Sequence, residues 1–196
     1  MAAKKSTKRD RARCWWCGED PLYVKYHDEE WGVPLRDDQR LFEMLILEGF
    51  QAGLSWITIL RKRDNFRKAF KNFDARKIAR FKAADVQRLM KDAGIIRNRL
   101  KIEAAITNAQ AFLEVQREFG TFSRYIWQFT EHKTLRSPQR EAKNLPARTA
   151  ESDRMSKDLK ARGFKFVGST ICYAHMQATG MVDDHVRGCF KYKGQK

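Results

Sequence analysis

The chain has 196 residues, of which 42% are hydrophobic and 12% aromatic, and it carries a formal net charge of +16. This length predicts one domain with a sizeable core, and the hydrophobic content excludes an intrinsically disordered chain. Four prolines and eleven glycines exclude collagen-like and low-complexity classes, and four cysteines are too few for a disulfide scaffold. We therefore expect a reducing, cytoplasmic location, where any cluster of cysteine and histidine is a candidate metal site.

The positive charge favours an anionic partner. Nucleic acid is the favoured class, an anionic membrane surface is second, and a soluble basic protein without such a partner is the third alternative. Residues 1–13 carry six basic side chains and one acidic side chain, which predicts a disordered basic tail, and 191–196 form a short C-terminal tail. The N-terminus lacks the apolar core of a secretory signal.

Apolar residues then recur at spacings of three and four rather than two, which predicts helices and no strand of useful length. Asp37 or Asp38 is suited to cap a helix that Gly49 ends, and Ser55 is suited to begin the next one. Further helices are predicted at 74–81, at 84–92, from Ile102 to Leu113, at 122–129 and from Ser152 to Arg162. Residues 133–150 are polar and contain both late prolines, which predicts a loop.

The longest stretch without a formal charge runs over 166–182. Several polar side chains interrupt it, so it predicts a buried helix and not a membrane span. Cys172 and His175 lie within this stretch and are expected to be core residues rather than metal ligands. The expected fold class is all-α, with a single domain over 14–190.

Cysteine and histidine occur in two groups near the chain ends. Cys14 and Cys17 have a Cys-x-x-Cys spacing followed by His27, whereas His185 and Cys189 lie four apart, so that one helical turn would direct them to the same side. Two cysteines and two histidines suit structural zinc, although this set holds more candidates than zinc has ligand positions. The alternative, on spacing alone, is that these residues are scattered and hold no metal.

Aromatic residues are concentrated near the N-terminus, where they could stack on bases or pack in a core. They are Trp15, Trp16, Tyr23, Tyr26, Trp31 and, further along, Trp56. Glu48 lies in the apolar run between Leu47 and Gly49. A carboxylate there is either a solvated residue at a helix end or a polar group placed in a pocket, and the pattern leaves both open.

Residues 84–113 predict a short helix, a tight turn and a longer basic helix. Gly94 can adopt a positive φ in this turn, which also contains Ile96. Such a helix-hairpin-helix can direct backbone N–H groups at a phosphate, and Arg97 and Arg99 add charge nearby. Any helical hairpin looks similar, so this pattern alone identifies no function.

Five long segments carry the strongest pattern in the sequence. They are DPLYVKYHDEEWGVP (20–34), LFEMLILEGFQAGLSWITIL (41–60), DAGIIR (92–97), GFKFVGSTICY (163–173) and VDDHVRGC (182–189). In content and order they resemble the bacterial 3-methyladenine DNA glycosylase I family, and the resemblance covers about 14–190.

The resemblance implies the helix-hairpin-helix DNA glycosylase fold, with its hairpin at about 84–113. It also implies one zinc ion per chain that joins the N- and C-terminal segments. The ligand positions of the family fall on Cys14, His27, His185 and Cys189. Four protein ligands leave no open position for water, so this zinc is expected to be structural. Cys17 is a departure, because the family pattern requires no cysteine there, and it could join or replace a ligand.

The resemblance further implies a pocket for the damaged base and a segment, at Leu54, that probes the DNA stack. The pocket falls on Glu48, Tyr26, Trp56, Tyr23 and Trp16, with Trp31 close by. Glu48 is assigned to recognition first, and to catalysis only by stabilising positive charge on the base and the sugar. Contacts to the DNA backbone are expected from Gly94, Ile96, Arg97 and Arg99.

The implied activity is hydrolysis of the N-glycosidic bond of 3-methyladenine in alkylated double-stranded DNA, which leaves an abasic site. No lysine is placed to act as a nucleophile, so no strand-cleaving lyase step is expected. The resemblance implies no membrane and no protein partner, and a monomer is expected. The alternative function is a zinc-stabilised helical nucleic-acid-binding module without catalysis. A carboxylate embedded among aromatic side chains favours the enzyme, because a binding module has no need for one.

Overall fold

A computed structural model describes residues 11–136 and 145–193 of the protein, so most of the predicted basic tail and the last residues of the C-terminal tail lie outside the described residues. Regular structure in these ranges is mainly helical, which confirms the predicted all-α class. The helices are α1 (Pro21–Glu29), α2 (Asp38–Gln51), α3 (Trp56–Ala69), α4 (Ala75–Ile78), α5 (Ala83–Lys91), α6 (Arg99–Phe119), α7 (Phe122–Trp127), α8 (Ala150–Ala161) and α9 (Ser169–Ala178). Short 3-10 turns lie at Trp15–Cys17, Lys71–Phe73 and Gln128–Thr130.

Two short strands lie where the sequence predicts a loop and a helix end. β1 (Leu135–Arg136) and β2 (Val182–Asp183) pair in parallel, with Leu135 opposite Val182. Each strand has only two residues, which is too short for an alternating pattern to be recognised in the sequence. Part of the predicted loop, 137–144, lies outside the described residues.

Most helix starts follow the capping residues that the sequence offers. The Asp37 carboxylate accepts a hydrogen bond of 2.9 Å from the Arg40 N–H at the start of α2, and Ser55 occupies the N-cap of α3. The Asp37 bond satisfies a backbone N–H group that has no partner inside the helix. The Ser55 hydroxyl makes no such bond and lies 2.7 Å from Thr58 Oγ1 instead. The prediction for α8 is wrong by one turn. Thr149 is the N-cap, and Ser152 completes the capping box from inside the helix.

Two predictions about glycine are wrong. Gly49 does not end α2, which continues to Gln51. A Cβ at position 49 would lie 3.4 Å from the Phe166 Cβ, so this glycine allows a close approach of two segments. Gly94 is not among the residues with positive φ. A Cβ there would lie 2.9 Å from Asp92 Oδ1, so lack of space, and not backbone conformation, requires glycine.

The remaining differences concern where helices end. α4 stops at Ile78 and not at Phe81, and α7 stops at Trp127 before a 3-10 turn completes the predicted aromatic segment. The buried helix predicted within 166–182 is α9, and its Cys172 and His175 are fully buried, as predicted. No helix in the described ranges is long and apolar enough to cross a membrane.

Helix α2 is the centre of the packing, since it contacts α3, α6, α7 and α9. Its N-terminal Asp38 accepts hydrogen bonds of 2.7 Å from the backbone N–H groups of Phe122 and Ser123, so it also caps α7. The buried Arg63 of α3 pairs with Glu43 of α2 at 2.6 Å and with Glu30 at 2.7 Å. These charge-assisted bonds fix α2 against its neighbours, and α2 carries Glu48 into the interior.

Candidate active site and metal centre

A cavity of about 240 Å³ opens between the N-terminal segment and helices α1, α2, α3 and α9. We call it the aromatic cavity. Its lining residues are Trp15, Trp16, Tyr23, Tyr26, Trp31, Glu48, Gln51, Trp56, Leu145, Ala174 and Gln177. All six residues that the sequence analysis assigns to the base pocket are therefore brought together in one place.

Helix α1 contributes two tyrosines to this cavity because Tyr23 and Tyr26 are three residues apart and share a helix face. Asp20 caps the helix by accepting from the N–H groups of Leu22 and Tyr23, and Pro21 at the first helical position has a φ suited to a helix start. The start of α1, and hence the direction of both tyrosines, is fixed by local sequence.

Glu48 is the only carboxylate in the lining of the aromatic cavity over the described ranges. It lies inside α2 and is only 3% exposed, so the interpretation as a solvated helix-end residue is wrong. Its Oε2 has no hydrogen-bond partner among the described residues. Burial raises the pKa of Glu48 to about 8, because the charged form loses its hydration.

A second unsatisfied polar atom lies in the same cavity. The indole Nε1 of Trp56 is buried and has no acceptor within the part of the chain that the structure describes. Buried polar groups are nearly always hydrogen-bonded, and one that is left unpaired costs roughly 1–3 kcal/mol. The cavity thus offers one acceptor, on Glu48, and one donor, on Trp56, to a ligand that carries complementary groups.

The tyrosines of the cavity keep their protons. Burial, with a smaller contribution from the nearby Cys17 and Glu48, raises the pKa of Tyr23 to about 12. Burial and Glu48 also raise the pKa of Tyr26 well above its ordinary value. Tyr26 packs against Trp56 at 5.5 Å between ring centroids, so the walls are aromatic and neutral around a single carboxyl group.

Four buried residues from the two ends of the chain form a compact group with metal-ligand chemistry. The ligand atoms of Cys14, His27, His185 and Cys189 all lie within 4.8 Å of one another. The Cys189 Sγ is 3.4 Å from His27 Nε2 and 3.6 Å from His185 Nδ1, and Cys14 Sγ is 3.6 Å from the same His185 nitrogen. Tetrahedral zinc would place such atoms about 3.3–3.8 Å apart, so these residues fit a metal ion.

Neighbouring groups orient both imidazoles toward this centre. His27 Nδ1 lies 2.9 Å from Asp28 Oδ1, which leaves Nε2 for a metal, and Arg13 holds the same carboxylate through two bonds of 2.8 Å. His185 Nε2 lies 3.3 Å from the Trp31 carbonyl oxygen, which leaves Nδ1. Such outer contacts fix the tautomer of a ligating histidine.

Cys17 does not belong to this group. Its thiol donates to the backbone carbonyl oxygen of Cys14 at 3.2 Å. The spacing of His185 and Cys189 suggested that they lie on one helix, but the structure, which describes this segment, has no helix there. A turn, in which the Cys189 N–H donates to the Val186 carbonyl oxygen, brings them together instead.

The predicted hairpin lies between α5 and α6. Arg97 and Arg99 are exposed, whereas Gly94 and Ile96 are half-buried. The Gly94 N–H donates to Asp92 Oδ1 at 2.7 Å and is therefore not free for a ligand. Among the described residues, the N–H groups of Ile96 and Arg97 have no such acceptor.

Leu54 lies beside this hairpin, in the loop between α2 and α3, and is 42% exposed. Lys101, near the start of α6, links the hairpin to this loop. Its Nζ donates to the carbonyl oxygens of Phe50 and Ala52 at 2.8 and 2.7 Å. Lys62 of α3 also donates to the Ala93 carbonyl oxygen at 2.9 Å. The hairpin and the loop of Leu54 are thus held as one surface.

Several residues that line the aromatic cavity are not among those predicted for the base pocket. They are Trp15, which is predicted only as a member of the N-terminal aromatic group, and Gln51, Leu145, Ala174 and Gln177. A signal existed for Gln177, since it is one of the few polar side chains in the long uncharged stretch. Three-residue spacing also places Ala174 and Gln177 on one face of α9. Which face meets the cavity depends on tertiary packing.

Comparison with known proteins agrees with this geometry. The family model described as methyladenine glycosylase matches residues 16–192. The chain belongs to the methyladenine glycosylase family. It is 52% identical, over 184 residues, to a protein of Escherichia coli called DNA-3-methyladenine glycosylase 1, covering 94% of this chain and 98% of that protein.

Two further relatives extend this similarity. DNA-3-methyladenine glycosylase of Haemophilus influenzae is 48% identical over 177 residues, which cover 90% of this chain and 96% of that protein. A crystal structure of a variant of 3-methyladenine DNA glycosylase I in complex with 3-methyladenine superposes with a TM-score of 0.89 at 36% identity, covering 93% of this chain and 99% of that one. Membership of the family therefore rests on both sequence and fold.

The buried Glu48 carboxyl group predicts an unusual dependence of stability on pH. Its folded-state pKa of about 8 lies above the ordinary value, so its contribution favours the folded state below about pH 4.5 and is lost as pH rises through 8. Glu48→Gln removes this titration. We expect the melting temperature of the variant to exceed that of the parent at pH 9, with a difference that shrinks toward pH 5. A difference that stays constant with pH would show that Glu48 is ionised in the folded protein throughout.

Proposed function

We propose that this protein is a DNA glycosylase that removes 3-methyladenine from alkylated double-stranded DNA by hydrolysis. The observation that carries the proposal is the buried, unpaired carboxyl group of Glu48 in a cavity walled by aromatic side chains. The names of the relatives, which are 3-methyladenine glycosylases, support the same activity. The net charge of +16 suits a polyanionic substrate.

The chemistry of the substrate explains this composition. An N3-methylated adenine in DNA carries a positive charge, so the base is already activated as a leaving group and needs no strong general acid. Aromatic faces attract such a cation by about 1–2 kcal/mol when water is excluded, and Trp56 and Tyr23 supply faces of this kind. Glu48 accepts hydrogen bonds from the amino edge of the base, and Tyr26 adds a polar contact.

The reaction breaks the bond between C1′ of the sugar and the ring nitrogen of the base. The bonding electrons leave with the base and neutralise its charge, and water adds to C1′ and releases a proton. Extruding the nucleotide from the duplex costs a few kcal/mol, and least for a damaged base. We assign Leu54 to filling the gap that extrusion leaves in the stack. The product is an abasic site, and we propose no lyase step.

We propose that Cys14, His27, His185 and Cys189 hold one structural zinc ion. Zinc would supply a cross-link between the two ends of the chain, and its four protein ligands leave no position for a reacting water. Two thiolate ligands suit a reducing cytoplasm, and we propose that the protein acts there as a monomer. The rival function, a zinc-stabilised binding module without catalysis, predicts the same metal and the same affinity for DNA but no released base.

Release of free 3-methyladenine from alkylated DNA by the purified protein is the direct test. Glu48→Gln keeps the shape of the side chain but removes its charge. Loss of a charged hydrogen bond in a closed site is worth roughly 1.5–3 kcal/mol, so we expect excision to fall by about ten- to two-hundred-fold. Metal content and binding to undamaged DNA should not change. If metal-loaded protein binds DNA but releases no base, the rival function is correct.

The metal assignment predicts about one zinc ion per chain, because the four ligands form a single site. Cys189→Ala should lose this metal and lower the melting temperature, since the link between the chain ends is lost. Cys17→Ala is the matched control and should retain the metal. A Cys14→Ala protein that stays fully metal-loaded would instead identify Cys17 as a ligand.

The hairpin assignment predicts that affinity for DNA falls with salt, because phosphate contacts release counterions. Arg97→Ala should weaken binding to all sequences alike and lower the slope of log K against log salt by about one. Arg124→Ala is the matched control. It is exposed and lies in α7, which follows the far end of the 21-residue α6, a helix about 30 Å long. Equal effects of the two substitutions would argue against a phosphate contact at Arg97.

A further inference from the structure

Gln177 is the polar side chain that α9 contributes to the wall of the aromatic cavity. Ala174, one turn earlier on the same face, leaves room beside it because its side chain is small. Helix α9 packs against α2, which carries Glu48 into the same cavity. The glutamine and the glutamate therefore reach one space from two packed helices.

The amide of Gln177 is held in one orientation by Asp184. Its Nε2 donates to Asp184 Oδ2 at 2.7 Å, and the Tyr173 hydroxyl donates to the same oxygen at 2.6 Å. Asp184 is fully buried. Because a carboxylate only accepts hydrogen bonds, it must face the NH₂ group of the amide, which settles the choice between the two amide orientations.

This orientation turns Gln177 Oε1 away from Asp184. Among the described residues no donor is bonded to this oxygen, and it is not one of the buried atoms without a partner, so it keeps some exposed surface. Gln177 itself lines the aromatic cavity. A glutamine can usually present either a donor or an acceptor to a ligand. Here the bond to Asp184 removes that choice: one N–H is committed to the carboxylate, and the position of the acceptor Oε1 is fixed.

The backbone at this position is fixed as well. The Gly32 N–H donates to the Gln177 carbonyl oxygen at 3.0 Å. A Cβ at Gly32 would lie 2.9 Å from His185 Nε2, so the loop after α1 is pressed between α9 and the metal centre. The end of α9 therefore has little freedom to move Gln177 out of the cavity wall.

We infer that Gln177 is a specificity-determining residue of the base pocket and that Asp184 is its positioning residue. The Oε1 of Gln177 offers a second hydrogen-bond acceptor to the extruded base, beside the carboxyl group of Glu48. Two fixed acceptors favour a base that presents N–H groups and carries positive charge. A base that presents a carbonyl or ring nitrogen to Gln177 would leave acceptors facing one another. This inference rests on the proposed glycosylase function.

Three variants separate this role from a structural one. Gln177→Met keeps the length of the side chain and removes the acceptor. In Asp184→Asn, the new amide can donate to Gln177 Oε1, which allows the glutamine to turn its NH₂ group toward the base. In the double variant Asp184→Asn with Gln177→Glu, amide and carboxylate exchange places, so the mutual hydrogen bond remains and an acceptor again faces the cavity. Gln110→Met, at an exposed glutamine of α6, is the matched control.

The measurements are the affinity for free 3-methyladenine and kcat/KM for its excision from alkylated DNA. Metal content, melting temperature and affinity for undamaged DNA are followed in parallel. We expect Gln177→Met to lower both quantities by about two- to twelve-fold, the range for one uncharged hydrogen bond. Asp184→Asn should lower them further, because it presents a donor, and the double variant should recover part of the loss. The three parallel measurements should match the parent.

The outcomes distinguish this inference from the function on which it rests. If the parent protein neither binds nor releases 3-methyladenine, the proposed function itself is wrong. If the parent is active and Gln177→Met equals it, the inference alone is overturned. It is also overturned if Asp184→Asn loses activity only in proportion to lost metal or stability, or if the double variant recovers nothing. If Gln177→Met fails to fold, the comparison of Asp184→Asn with the double variant tests the inference instead. Partial recovery in the double variant supports it, and no recovery overturns it.

Discussion

Burial of one carboxyl group, for which the described residues supply no hydrogen-bond partner at Oε2, is the constraint on which the rest of the site depends. An ionised carboxylate in such a place is costly, and a protein ordinarily avoids the cost by pairing the group or exposing it. Here Glu48 can do neither, because α2 is fixed at both ends. Asp38 ties its start to α7, and Lys101 bonds the last carbonyl groups near its C-terminus. The rigidity of α2 is what keeps Glu48 in the cavity.

The Cys/His group and the aromatic cavity share their walls. Trp16 lies 5.3 Å from His27, and Trp31 lies 4.7 Å from His185, measured between ring centroids. Both tryptophans also line the cavity. Closing the chain ends at the Cys/His group therefore positions the N-terminal aromatic side chains as well. A metal ion bound by this group would cross-link residues far apart in sequence and would restrict the unfolded chain, because it closes a long loop.

Local chemistry in the sequence predicted most of the helices, because a cap such as Asp37 acts within one turn. It failed where contacts between distant segments decide, as at Gly49 and Gly94, whose missing side chains make room for Phe166 and Asn65. Spacing also could not decide whether Cys14 or Cys17 belongs to the Cys/His group, because that depends on where His185 and Cys189 lie in the folded chain. The family resemblance supplied that choice, and it grouped the pocket residues before their geometry was known. Neither the local sequence pattern nor the resemblance identified Gln177, because its orientation depends on the carboxylate of Asp184, which lies outside its helix.

The raised pKa of Glu48 adds a selection that shape alone cannot give. With a pKa of about 8, the carboxyl group of the free protein is mostly protonated at neutral pH. A cationic base in contact with it would lower that pKa, so the cation takes the place of the proton and the buried negative charge is compensated. A neutral base offers no such compensation, and the cost of ionising Glu48 remains. If the cavity takes the extruded base as proposed, discrimination between methylated and normal adenine follows from desolvation of Glu48, the same property that makes this residue unfavourable for folding at high pH.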